Sequence, residues 1–144
     1  MPLQPENIQS IFQMTSFSIY KAAFEVKKWP VHTPLKLKLK SFSVSLPDKL
    51  GKTLEADADV SIEIRIKSGN TTYIIVSLSI KGHFKGQNMK EEQFKEFIKY
   101  SGVSNLTQIA RSYIISMTSQ LGIMPPIVLP MINLVEFYKS QEEK

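Results

Sequence analysis

The chain has no cysteine and only two histidines among its 144 residues. Disulfides and thiolate metal sites are therefore excluded, and the composition is compatible with a reducing cytoplasm, the compartment expected here. His32 and His83 lie far apart, and no H-E-x-x-H or other metal-ligand spacing is present. Gly82 and Gly86 flank HFK without the pattern of a phosphate loop, and there is no G-x-S-x-G. Asp57 and Asp59 stand two apart on a predicted strand and superficially suggest a catalytic pair; they read better as solvated carboxylates near Arg65 and Lys67. No candidate base lies near a candidate nucleophile, so an enzyme is not expected, and nothing calls for a metal or cofactor.

No secretory signal is expected either, because MPLQPENIQS has neither a basic stretch nor an apolar one. From Ser112 to Val135 no residue is charged, a run long enough to span a bilayer. Pro125, Pro126, Pro130, Gly122 and the polar Ser116, Thr118, Ser119 and Gln120 argue against such a span, and no membrane insertion is expected.

What is present is the balance of a folded protein: 42% apolar and 22% charged residues. This size fits one domain over residues 1–144, with flexible ends at 1–13 and 140–144. The net charge is +5. The most ordered basic set is Lys36, Lys38 and Lys40, which alternation places on one strand face. It reads as a solvated face, not a nucleic-acid site, so no nucleic-acid partner is expected.

Four strands are predicted. SFSIYKAAFEV, residues 16–26, alternates imperfectly, with Phe17 and Ile19 on one parity and Tyr20, Phe24 and Val26 on the other, as a bulge or double-sided cover would produce. Pro30 and Pro34 mark a connection that holds the single tryptophan, Trp29. In LKLKLKSFSVSL, residues 35–46, burial switches parity near Lys40–Ser41. ADADVSIEIRIK, residues 56–67, alternates cleanly, turns at SGN and returns in TTYIIVSLSIKG as an antiparallel hairpin. The fourth strand starts apolar on both faces and asks for further cover.

The last third shifts to helical period. EEQFKEFIKY forms one helix, which Ser101 and Gly102 are expected to break. A longer helix follows, with Asn105 as N-cap and an apolar stripe of Leu106, Ile109, Ala110, Tyr113, Met117 and Leu121 up to a terminal Gly122. After the proline-rich run, Asn133 and Glu136 repeat the capping pattern and open a short helix through Leu134, Phe137 and Tyr138. Strands first and helices later predict an α+β fold: a four-stranded antiparallel sheet followed by a long helix and a short C-terminal helix packed on one face.

The segment ARSYIISMTSQLGIMPPIVLPMINL resembles the most characteristic part of the SecB protein-export chaperone family. Ala110-Arg111, Ser116-Met117, Pro125, Pro130 and Asn133 match in order, IYKAAFEV at 19–26 resembles the family's first strand, and PLKLKLK at 34–40 its second. The resemblance implies a homotetramer built as a dimer of dimers. It implies an ATP-independent holdase in the cytoplasm that binds unfolded or precursor polypeptides in apolar grooves, in protein export or for a dedicated client such as an antitoxin. By position, the client-binding candidates are Trp29, Leu35, Leu37, Leu39, Ile127, Val128, Leu129, Leu134, Phe137 and Tyr138. A competing expectation is an oligomeric adaptor protein without chaperone activity. The chain departs from acidic family members at Ser77, Lys38 and Lys40, where carboxylates are common, and its tail is only QEEK. These departures argue against docking to the SecA motor by the usual surface.

Overall fold

The computed structural model describes residues 11–29, 34–48 and 50–143. Strands β1 (Phe12–Val26), β2 (Lys36–Ser45), β3 (Glu55–Ser68) and β4 (Thr71–Gly86) form one sheet in the order β1-β4-β3-β2 with every pair antiparallel. Helix α1 (Glu91–Phe97) passes through a π-helical turn (Ile98–Gly102) into the long helix α2 (Val103–Gln120), and α3 (Leu134–Glu142) ends the described chain. The expectations for His32 and Pro30, and for the first ten residues, fall outside the described residues. β1 opens at Phe12 and α3 runs to Glu142, so the ordered elements extend further into both ends than the sequence suggested. Phe12 is the reason at the front end: its ring stacks on Phe84 at 5.4 Å and Phe97 at 5.3 Å and meets Phe94 edge-on at 5.8 Å.

The sheet is apolar on one face because β3 and β4 alternate in step. Val60, Ile62, Ile64 and Ile66 lie opposite Ile80, Leu78, Val76 and Ile74, and all eight are buried. Full burial of such side chains is worth about 1.5–3 kcal/mol each, which makes this hairpin the core. The outer strands join the same face through bulges. In β1 the register shifts between Met14 and Ser16 and between Ile19 and Lys21. These shifts carry Met14, Ile19 and Phe24 to the core side despite their mixed parity, and they leave Tyr20 as an unpaired, exposed residue. In β2 the shift falls between Leu39 and Ser41, at the predicted switch, so that Leu37, Leu39, Phe42 and Val44 all face inward.

The helical layer differs from the expected one. Gly102 does not break the helix; it is helical (φ −64°, ψ −50°), and Asn105 lies inside α2 instead of capping it. Glycine is needed there for proximity, since a Cβ would lie 2.9 Å from the Phe84 ring. The π turn also inserts an extra residue into the helical repeat and rotates the following face. Val103, Leu106, Thr107, Ala110, Ile114 and Thr118 are therefore the buried positions of α2, whereas Leu121 is exposed and Ile109, Tyr113 and Met117 lie at the margin. Asn133 does cap α3, its Oδ1 accepting from the Glu136 N–H at 3.1 Å.

Gly102→Ala separates packing from propensity. At an open helical site the change would stabilise by about 1 kcal/mol. Against the Phe84 ring it should instead destabilise, by about 1–3 kcal/mol, in urea or thermal unfolding.

Candidate functional site

Eighteen residues of α2 span about 27 Å, while the sixteen of β4 span about 53 Å. One helix cannot cover the apolar face from end to end. Its contacts place it diagonally. Leu106 packs against Gly82 of β4, Tyr113 meets Phe24 of β1 at 6.2 Å, and Trp29 rests beside Gly122. The helix thus leans toward β1 at its C-terminal end and leaves the β2–β3 side open near Leu37, Ile66 and Ile74.

The proline-rich run closes part of that gap. Gly122, at φ +83°, reverses the chain, and the Ile123 N–H donates to Thr118 O at 3.0 Å. The chain then returns along α2. The buried Thr118 hydroxyl accepts from the Ile127 N–H at 3.0 Å while donating to Ile114 O at 2.7 Å. Arg111 Nε donates to Leu129 O at 2.9 Å. Ile123, Ile127 and Leu129 are sunk in the core, and the residues between them face out: Met124 is 78% exposed and Val128 52%.

Between this strap and the sheet lies an open cleft of about 550 Å³. Pro34, Leu35 and Leu37 form one wall, Ile66 and Ile74 the floor, and the strap from Ile123 to Val128 the other wall. Neither wall carries a charged side chain. The cleft therefore offers shape and apolar surface and no nucleophile, acid or base. Among the described residues no group of His, Asp and Glu side chains is placed to hold a metal ion, and no helix is long and apolar enough to cross a membrane.

Four of the ten residues named from the sequence meet here: Leu35, Leu37, Ile127 and Val128. Leu39 is partly buried in the core further along β2. Leu129 is fully buried beneath the strap and presents no surface. Trp29 is half-exposed over Gly122, outside the cleft lining. Leu134 packs against the core, and Phe137 meets the Phe42 ring edge-on at 5.0 Å. Tyr138 is a packing residue: it is buried, edges onto Tyr100 at 5.5 Å and donates its hydroxyl to Lys99 O at 2.6 Å. Met124, Pro125 and Pro126 are cleft residues whose side chains sequence reasoning passed over. The available signal was a methionine, an adaptable side chain, held beside two prolines that have no N–H to bury.

Asp57 and Asp59 remain on the outer sheet face, but their neighbours are on β4 and β2, not those expected. Asp57 Oδ1 lies 2.6 Å from His83 Nδ1, and the strand register sets Asp59 opposite Lys81 of β4 and Ser45 of β2.

The sequence matches the family model described as SecB, preprotein translocase subunit SecB, over residues 6–144. Comparison with curated proteins gave no match. Among solved structures the fold is similar to a SecB-like chaperone of Mycobacterium tuberculosis (Rv1957), solved in complex with a ChAD peptide from the HigA1 antitoxin (Rv1956). That similarity has a TM-score of 0.70 at 17% identity and covers 85% of this chain and 91% of the other.

Burial pushes the Tyr138 phenol up to about 12, with Tyr100 and Glu96 adding to the effect. A folded value above the unfolded one, about 10, means the native state holds this proton more tightly. The associated stability is complete below pH 10 and is lost as pH rises toward 12. Tyr138→Phe should cost about 1 kcal/mol at neutral pH through the missing hydrogen bond. In denaturant titrations at rising pH, the gap between parent and variant should narrow above pH 10.

Proposed function

The chain belongs to the SecB family, and on that premise we propose that it is an ATP-independent chaperone that holds non-native polypeptides in the cleft between β2 and the proline-rich strap. The observation that carries this reading is an uncharged cleft of about 550 Å³ with Met124 and Val128 exposed on its rim. Exposed apolar surface of this kind marks an interaction site. The strap's prolines and its bonds to Thr118 and Arg111 hold it in place before a client arrives, which lowers the ordering cost of binding. Clients are unfolded or precursor polypeptides bound in the cytoplasm, with no catalytic step and no cofactor. The antitoxin peptide bound by the structurally similar M. tuberculosis protein supports a dedicated client of that type beside general export. With Ser77, Lys38 and Lys40 on the sheet in place of acids, docking to SecA by an acidic surface is not part of this function.

Assembly into a homotetramer, as a dimer of dimers, belongs to the same reading. β1 is a fifteen-residue edge strand carrying Phe17, Tyr20 and Val26 at 51%, 57% and 36% exposure. An edge of that length and character is a pairing hazard unless another copy covers it.

A reduced, unfolded substrate should stay soluble in the presence of the protein without nucleotide. The double variant Met124→Ser/Val128→Ser should melt near the parent temperature and lose about tenfold or more in client affinity, the scale on which apolar anchors act. Unchanged client holding by this variant would move the site elsewhere, and no holding by the parent would leave the adaptor reading. Light scattering at micromolar concentration should give the mass of four chains; a monomer would contradict the assembly.

A further inference from the structure

The two faces of β2 at its start serve different chemistry. Leu35 and Leu37 line the apolar cleft, while Lys36 and Lys38 point to the other face of the sheet. There the register places Lys36 opposite Lys67 and Lys38 opposite Arg65. Like charges set directly across an antiparallel pair are destabilising, and here two successive outward-facing pairs repeat the arrangement. Arg65 is partly compensated by Glu63, 3.4 Å from its Nε. Among the described residues, Lys36, Lys38 and Lys67 have no ion-pair partner. These three lysines and the Ser68–Asn70 turn border a second concavity of about 620 Å³. It meets the apolar cleft at Pro34 and Leu37, which line both.

We propose that this basic concavity receives acidic residues flanking the apolar stretch of a client, so that the chaperone selects apolar segments bordered by Asp or Glu. This rests on the cleft as the client site and adds the charge that the client carries beside it. An extended chain lying in the cleft and leaving past Pro34 passes directly from apolar walls to three unpaired ammonium groups. Acidic polypeptide is favoured over nucleic acid because the cations adjoin an apolar cleft and, among the described residues, their concavity includes no aromatic side chain on which a base would stack. The attraction is between exposed charges, so each contact contributes modestly and is screened by salt.

The test uses fluorescent peptides that share one apolar core and differ only in their flanks: glutamate, glutamine or lysine. Anisotropy titrations are run on the parent and on the triple variant Lys36→Gln/Lys38→Gln/Lys67→Gln. The glutamate-flanked peptide should bind the parent about tenfold more tightly than the glutamine-flanked one at low salt, and the lysine-flanked peptide should bind more weakly than both. Raising the salt should shrink the differences. The triple variant should bind all the peptides alike, with the affinity for the glutamine-flanked peptide unchanged and a melting temperature no lower than the parent's, since the like-charge pairs are removed, which also shows that it is folded. Equal affinities in the parent, or a glutamate preference that survives in the triple variant, would overturn the inference and leave the cleft reading standing. Failure of every peptide to bind the parent would overturn the cleft reading and this inference with it. A single-stranded oligonucleotide that binds the parent more tightly than the glutamate-flanked peptide, and loses that binding in the triple variant, would assign the lysines to nucleic acid and overturn it as well.

Discussion

Everything in this fold answers to one constraint: the inner face of the β3–β4 hairpin is apolar along its whole length and is longer than the helix that covers it. Val60 to Ile66 and Ile74 to Ile80 create a surface that must be removed from water. Helix α2 covers the middle and leans toward β1. At the Phe84 end the cover is completed by α1, the π turn and the ring cluster of Phe12, Phe84, Phe94 and Phe97. At the Ile74 end it is completed by the strap, and only in part. The cleft is the remainder of that cover.

The strap succeeds as cover because of what its backbone lacks. A segment that lies on an apolar face without joining the sheet has to satisfy every buried N–H locally. Pro125, Pro126 and Pro130 have none. Two that remain are met by α2: Ile123 by the Thr118 carbonyl and Ile127 by the Thr118 hydroxyl. Arg111 holds the Leu129 carbonyl further back. A threonine and an arginine on one helix thus fix the height of the strap above the sheet, and with it the width of the cleft. Met124 and Val128 are left outside because their neighbours Ile123, Ile127 and Leu129 take the inward positions.

The other face of the sheet is mostly polar, apart from Tyr73 and Ile75 at the start of β4, and changes character along its length. Its middle carries Ser61 and Ser79, whose hydroxyls meet at 2.9 Å, and the end where β3 begins holds Asp57 beside His83. Its end near the β3–β4 turn gathers Lys36, Lys38, Arg65 and Lys67. Part of the chain's positive charge is therefore gathered next to the mouth of the apolar cleft.

Periodicity by itself determined the sheet, the hairpin and the place where β2 changes parity, because alternation is a local property; that the change between Leu39 and Phe42 is a register shift at Leu39/Ser41 and not a bend came from the strand pairing. It also determined the cap of α3, since Asn133 and Glu136 are three residues apart and act on each other directly. The phase of α2 was beyond its reach. Gly102 carries the same letter whether it ends a helix or lets one approach a phenylalanine ring, and only the position of Phe84 on β4 decides between them. The same holds for the site. The sequence marked Ile127, Val128 and Leu129 as one apolar run, but which of them is buried depends on where Thr118 and Arg111 pin the strap. Tyr138 and Phe137 looked like groove residues and became packing partners of Tyr100 and Phe42, contacts across 38 and 95 positions that no local pattern encodes. The meeting of Lys36 with Lys67 was likewise decided only by the strand register, which tertiary pairing sets.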